Sequence, residues 1–418
     1  MGLQATPDLT KAQRGRARAA ERDVGGVPRE PASMPIYDVA IIGLGVIGSA
    51  ALAALARRGY RVVGIDRFAA GHDRGSSHGT TRVIRLGYFE HPSYVPLLRA
   101  AYALWRELEA QSGRLLLTIT GIVEIGAPGS DLVAGTLHSS RLHDLPHEIL
   151  DARSLMKRFP AFRVPDDFIG VVQPDGGFLQ AEPAVAALQE LASGSGAELR
   201  SKQRVLAVEP NGSGVRVTTA SGDILARCAV VAAGPWVKSL LPQLCASIRV
   251  TRQVVGWFEP AQHLRACFAA ERFPVFLLQN PDGVFYGFPG DANGVKVAKH
   301  HHLDEAVDPD HYNRSVSPAD EGTIRTMLKA HLPDAEGRLL AAQTCLYTMT
   351  LDGDFIIDRL PGCPQVIVAA PCSGHGFKFA PVVGEILADL ATTGSTDHDI
   401  ARFSLTRFSA SLSPAPAP

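Results

Sequence analysis

Gly43-Leu-Gly45-Val-Ile-Gly48 is the feature that most narrows what this chain can fold into. It follows Asp38-Val-Ala-Ile-Ile42, a short apolar run rich in β-branched residues, as in parallel strands buried on both faces. It leads into Ser49–Arg58, a run of good helix formers that ends at Gly59. Arg61-Val-Val-Gly-Ile65 reads as a second strand, with Asp66 at its end about twenty residues beyond the glycines. Gly43 permits the tight turn, Gly45 lets the backbone approach a pyrophosphate, and Gly48 lets helix and strand pack closely. The helix N-terminus then offers unpaired N–H groups and partial positive charge to phosphates, while Asp66 accepts from ribose hydroxyls. A glycine pattern alone is weak evidence. Strand, helix and acid together predict a dinucleotide site, and they leave FAD and NAD equally open.

The same reading removes a membrane span. Val39–Ala56 is apolar over nearly the length that crosses a bilayer, but its glycines divide it into strand, turn and helix. Lys and Arg total 41 against 42 Asp and Glu, so no overall field favours nucleic acid or an anionic membrane. Small molecules are the expected partners. Six cysteines show neither CxxC nor zinc-like spacing, and no secretory signal opens the chain. A reducing cytoplasm without a disulfide framework is expected.

Residues 1–34 are polar, of mixed charge and without apolar periodicity, which predicts a disordered extension; 408–418 should be a loose tail. Between them, helices are expected at Tyr94–Gln111, Ala181–Ser193 and about Pro381 to Ala391. Strands are expected at Arg204–Glu209, Gly214–Thr219, Cys228–Ala233 and Gln365–Ala370. Pro274–Leu278 and Val284–Phe288 read as strands of a second sheet.

Three further segments carry chemistry. Gly75-Ser-Ser-His-Gly-Thr-Thr-Arg-Val-Ile-Arg85 combines small residues, which let backbone lie against a planar cofactor, with two forked cations. Taken alone it reads as a solvated surface loop. Cys345-Leu-Tyr-Thr-Met-Thr, followed by Asp354-Phe-Ile-Ile-Asp358, puts a cysteine on a strand, and alone that cysteine reads as a small buried hydrophobe. Cys372-Ser-Gly-His-Gly-Phe-Lys-Phe379 places Lys378 in a glycine-rich turn after a buried strand.

Taken in this order, these strings resemble the monomeric sarcosine oxidase family, which includes N-methyltryptophan oxidase and pipecolate oxidase. The resemblance runs from about Tyr37 to Arg407. It implies an α/β (α+β) fold with a Rossmann-type FAD-binding domain and a substrate domain built on a large mixed β-sheet. Residues 35–90, 160–240 and 340–407 would form the discontinuous FAD domain, and 91–159 and 241–339 the substrate domain. It implies FAD joined covalently to Cys345. Cofactor contacts would come from Gly43, Gly45, Gly48, Asp66, Ser77, His78, Thr81, Val205, Gly374, Gly376 and Lys378. Arg85 and Lys378 would hold a substrate carboxylate, Arg82 would lie against the flavin ring, and Tyr286, Phe288 and Tyr347 would line the amine pocket. Lys296 takes the place of the lysine that helps flavin react with oxygen, and His300 that of a pocket histidine. The family resemblance also suggests a monomer.

The chain departs from the family pattern at Thr80, where members often have Asp, and at Leu86-Gly87 in place of a His-Ala pair. Leu277 replaces a pocket methionine, and the stretch from Pro289 to Lys296 is one residue shorter than in sarcosine oxidase. All four differences touch the substrate side. Within His300-His301-His302, strand alternation predicts one pocket histidine and two exposed neighbours, with no metal site.

The expected activity is oxidation of a small secondary amino acid such as sarcosine, by hydride transfer to flavin, followed by imine hydrolysis and peroxide formation. A protonated His300, with Arg85 and Lys378, would favour the neutral amine. A flavin dehydrogenase passing electrons to a quinone or carrier protein is the alternative. An NAD-dependent dehydrogenase and a non-enzymatic flavin sensor stand further off.

Overall fold

The computed structural model describes residues 37–370 and 373–408. The expected extension and all of the tail but residue 408 therefore fall outside it. The apolar run at the start resolves into the strand Tyr37–Ile42 and the helix Val46–Arg57. Val39 and Ile41 face one core cluster while Ala40 and Ile42 face another, so the strand is buried on both sides. That two-sided burial explains why its sequence shows no alternation.

Tyr37–Ile42 pairs in parallel with Val62–Ile65 on one side and with Gly222–Val231 on the other. The sheet extends through Glu198–Arg200 at one edge and the antiparallel pair Gly214–Thr219 and Val205–Asn211 at the other. Cys363–Ala370 joins Gly222–Val231 in parallel and is capped by Ile356–Leu360. Helices Val46–Arg57, Ala181–Gly194, Val95–Ser112 and Ala380–Thr392 contribute to one of its two cores.

A second eight-stranded sheet runs in the order Leu339–Thr350, Ile248–Phe258, Val295–Lys299, Gly283–Gly287, Val275–Asn280, Ile122–Gly126, Ile169–Gln173, Glu148–Asp151. Its pairings are antiparallel except between Val275–Asn280 and Ile122–Gly126. Val123, Ile125, Phe276, Phe285 and Val297 turn one face into a phenylalanine-rich core. The alternate residues Glu124, Leu277, Tyr286 and Lys296 must then point to the other face. Arg82 lies on a small third sheet, on Thr81–Ile84, which pairs with Gly177–Gln180.

Three segments depart from the expected domain ranges. Val95–Ser112, expected in the substrate domain, packs into the core of the first sheet. Ile169–Gln173 and residues 340–350, assigned by resemblance to the FAD domain, lie in strands of the second sheet. The second of these pairs with Ile248–Phe258 along its whole length, and that ladder decides where it belongs. No helix of the described residues is long and apolar enough to cross a membrane.

Candidate active site

The glycine loop is fixed by close approach. Gly43 has φ +96°, and a Cβ there would lie 2.5 Å from the Ala232 carbonyl oxygen. A Cβ on Gly48 would lie 1.8 Å from the Gly43 carbonyl oxygen, so only glycine lets this helix rise from this turn. Gly45 occupies the N-cap position. The Val46 N–H donates to Ser77 Oγ (3.1 Å), which ties the early loop to the helix N-terminus. Asp66 accepts from the Leu44 N–H through Oδ2 (2.8 Å) and from the Phe68 N–H through Oδ1 (2.7 Å). A carboxylate has about four acceptor sites, so Asp66 can brace the loop and still accept from ribose. These donors, the glycine cradle and the acid fit the dinucleotide end of FAD.

From this loop a single cavity of about 550 Å³ runs past Asp66, Ser77, His78, Val205 and Cys345 to Arg85, Glu90, Leu277, Tyr286, Phe288, His300, Tyr347 and Lys378. Gly43, Gly45, Arg82, Gly374 and Gly376 also line it; Gly48, Thr81 and Lys296 do not. Gly48 acts through packing. Thr81 instead holds Lys296, whose Nζ donates to the Gly79 carbonyl (2.6 Å), the Thr81 carbonyl (2.9 Å) and Thr81 Oγ1 (3.1 Å). Lys296 thus sits behind the early loop, 4.6 Å from the Phe288 ring. Burial, then Arg82, draws its pKa well below the usual lysine value.

Arg82 is held by the carbonyls of Thr81 (2.8 Å), Ser76 (2.9 Å) and His78. His78 is buried, and burial, aided by Arg82, brings it down to about 4. Cys345 is buried at the cavity wall, and burial pushes its thiol up while Arg82 and Lys296 pull it down. Its register partner across the sheet is Gln253.

The amino-acid end departs most from expectation. Arg85 is buried, but its fork is already taken: Nη2 donates to both Glu90 oxygens (2.8 and 2.7 Å) and Nη1 to the Gly87 carbonyl (2.7 Å). Glu124 lies 3.6 Å from the same Nη1. The guanidinium also faces the rings of Tyr88 (4.4 Å) and Phe89 (4.8 Å). A Cβ on Gly87 would lie 2.2 Å from the Gln173 side-chain amide, so the glycine lets that side chain pack against the loop. Lys378 donates to the His375 carbonyl (2.9 Å), and burial, with Arg85 adding to it, brings its pKa down to about 7. His375 Nε2 meets the Gly353 carbonyl (3.1 Å) and must donate there, so Nδ1 accepts from the Tyr88 hydroxyl (2.6 Å).

His300 lines the cavity, with Nδ1 3.4 Å from the Tyr347 hydroxyl. Gly374, at φ +80°, lets these two rings come close, since a Cβ would lie 2.4 Å from Tyr347 and 2.7 Å from His300. Burial, then the charges of His301, His375, Lys378 and Arg85, holds His300 well below the usual histidine range. The expectation of a protonated His300 is therefore corrected: the imidazole is neutral. His302 is also corrected. The three histidines begin a turn after Val295–Lys299, with His301 at φ +58°, so strand alternation does not apply. His302 is buried against Asp320 (2.9 Å), which also pairs with Arg252. Among the described residues no cluster is suited to a metal ion.

Glu90, Glu124, Tyr88 and His375 were not assigned roles from sequence. Two of them left a signal, an acid five residues beyond Arg85 and a lone charge in the strand Ile122–Gly126.

A Rossmann-type loop that opens into a cavity closed by cations and aromatics defines an oxidoreductase that acts on a small molecule beside a dinucleotide. The chain belongs to the FAD dependent oxidoreductase family, whose pattern matches residues 38–390. It is 42% identical to monomeric sarcosine oxidase of Streptomyces avermitilis over 90% of this chain and 99% of that protein. It is 37% identical to N-methyl-L-tryptophan oxidase of Yersinia pestis (strain Pestoides F), over 89% and 99%. Among solved structures it is similar to the open form of NikD, an unusual amino acid oxidase essential for nikkomycin biosynthesis. There the TM-score is 0.78 at 28% identity, covering 89% of this chain and 98% of that one.

Proposed function

We propose that this chain is an oxidase of a small secondary amino acid, N-methylated or cyclic, producing an imine that water hydrolyses and hydrogen peroxide. The observation that carries this reading is the single cavity joining the glycine loop to buried Arg85 and Lys378. Bound FAD supplies the hydride acceptor and the electron path to oxygen.

Arg85 and Lys378 take the substrate carboxylate. Since Glu90 already fills the guanidinium fork, the carboxylate replaces it there, exchanging one charge-assisted pair for another. Anchoring that end holds the C–H beside the amine in one orientation, which is catalysis by positioning. The amine must lose its ammonium proton first. Neutral His300, oriented by Tyr347, is placed to accept it, and the cations nearby disfavour the protonated amine. Tyr286, Phe288 and Leu277 confine the substituent on nitrogen.

Cys345 is proposed to carry the flavin covalently, supported by its buried place on the cavity wall and by the family resemblance. Yellow colour that stays with acid-precipitated protein, and is released in Cys345→Ala, is the expected result. Flavin released from the wild type removes Cys345 from this role. Peroxide formed from sarcosine, N-methyltryptophan or pipecolate tests the activity, and its absence with all three overturns the substrate class. One observation favours a second reading, electron delivery to a quinone or carrier protein: Lys296 lies outside the cavity lining. Substrate-driven flavin reduction without peroxide in air would select it.

A further inference from the structure

Glu124 is the one acid on the inward face of the strand Ile122–Gly126, between Val123 and Ile125 of the phenylalanine core. Its register partner is Leu277, whose own partner is Tyr286, so it stands in the same row of the sheet as two cavity residues. It is fully buried, and its carboxylate makes no well-formed hydrogen bond among the described residues, although the Thr136 hydroxyl lies close enough to favour its charged form. A buried, unsatisfied carboxylate is costly, and its nearest ionic neighbour is Arg85 at 3.6 Å. Glu90 differs in freedom. It sits on the loop after Arg85, lines the cavity, and holds the guanidinium with both oxygens.

We infer that Glu124 is a positioning residue that tunes substrate affinity: fixed behind Arg85 when a substrate carboxylate replaces Glu90, it sets by its own charge how tightly the guanidinium holds that carboxylate. This rests on the reading that Arg85 binds the substrate. The charged and titratable groups facing Glu124 are Arg85, Glu90 and Lys378, and Thr136 lies alongside. Burial pushes Glu124 up to about 7 against the pull of Arg85. Glu90, which burial alone would raise, is kept below the usual carboxylate range by Arg85, His375 and Lys378. Near neutrality Glu124 can therefore take up a proton while Glu90 stays ionised.

An incoming carboxylate shares Arg85 with one other negative charge if Glu124 is ionised and with none if it is protonated. Glu90, displaced from Arg85 but still ionised and beside the cavity, keeps its charge near Glu124. Binding therefore adds one negative charge there and raises the Glu124 pKa further, and affinity falls as pH rises through about 7 toward the bound-state value. Lys378 loses charge in the same window and weakens binding in the same direction, so the variant has to separate the two. Glu124→Gln keeps shape and removes charge.

The experiment titrates flavin-loaded enzyme with propionate, following flavin absorption at pH 6 and pH 8.5, and measures KM and kcat for whichever N-methyl amino acid is oxidised. Glu124→Gln should bind propionate about tenfold more tightly than wild type at pH 8.5 and equally at pH 6, the tenfold corresponding to one pKa unit of linkage. KM should fall in parallel with kcat held within about twofold, and Glu124→Asp should restore the pH dependence. A variant-to-wild-type ratio independent of pH, whether tighter, looser or equal, overturns the inference. If Glu124→Gln does not fold, Lys378→Met removes the other carboxylate-facing group brought to about 7, and calorimetry in two buffers at saturating propionate should still register proton uptake on binding; none overturns it. Wild type that oxidises none of the amino acids fails at the substrate reading instead, which is a distinguishable result.

Discussion

The two ends of the cavity are built by opposite means. The dinucleotide end is backbone: Gly43, Gly45 and Gly48 within six residues, one helix N-terminus, and Asp66 at the end of the next strand. The amino-acid end is side-chain charge assembled from distant segments: Arg85 and Glu90 from one loop, Glu124 from a central strand, His300 from a turn, Lys378 from near the C-terminus. Backbone cradles tolerate no added atom and carry little titratable charge. Charge clusters tolerate changes of shape but respond to pH and to any altered neighbour. Substitutions at the first end should therefore act all or none, and those at the second should be graded and dependent on conditions.

The largest effect is expected at Gly48. With a Cβ 1.8 Å from the Gly43 carbonyl oxygen, neither of which is free to move, Gly48→Ala should cost about 3 kcal/mol and prevent flavin incorporation. Urea unfolding and the flavin-to-protein ratio measure both. Near-normal flavin content in this variant would show that the cradle is more pliable than the comparison holds.

Next in size is Lys296→Met. If the Lys296 charge serves the oxygen reaction, flavin reoxidation should slow by about 100-fold while anaerobic reduction by substrate stays near wild type. Stopped-flow measurement of the two half-reactions separates them. Equal losses in both would point instead to collapse of the Gly79–Thr81 loop that Lys296 braces. Lys296 then belongs with the structural end of the cavity rather than its chemistry.

This contrast also explains what the sequence could convey. The glycine loop with its flanking strands and helix follows from local patterns, because it rests on one βαβ span. The first sheet's other strands and helices each show their own apolar pattern, although they come from distant segments. The strings around Arg82, Cys345 and Lys378 marked a site by resemblance, and the cavity does bring Arg85, Tyr286, Phe288, His300, Tyr347 and Lys378 together. What stayed hidden depends on register between strands far apart in the chain. Leu339–Thr350 changes sheets because of its ladder with Ile248–Phe258, and no local pattern records a ladder. The Glu90 pairing that occupies Arg85 and the burial that neutralises His300 arise only when loop, strand and C-terminal turn converge. His302 was misplaced for a local reason, a strand that ends at Lys299, before the first of the three histidines.

The smallest effect is expected where the two ends meet. Thr80 has φ +65°, a left-handed conformation that a β-branched side chain resists. Its N–H and that of Gly79 both donate to Glu182, and its carbonyl accepts from the Ala181 N–H (2.7 Å), so the loop is held open from both sides. The carbonyls of Gly79 and Thr81 on either side hold Lys296, and the Thr81 carbonyl also holds Arg82. The left-handed turn at Thr80 is therefore what aims these acceptors, and a residue at ease in this region should aim them equally well without the strain. Asn tolerates the left-handed region, so Thr80→Asn should stabilise the protein by about 1 kcal/mol in urea unfolding and leave kcat unchanged. A stabilised variant with slowed flavin reoxidation would tie the strain to the placement of Lys296. A destabilised one would mean that the Thr80 methyl group contributes packing that outweighs its backbone strain, and that this junction behaves like the cradle rather than the charge cluster.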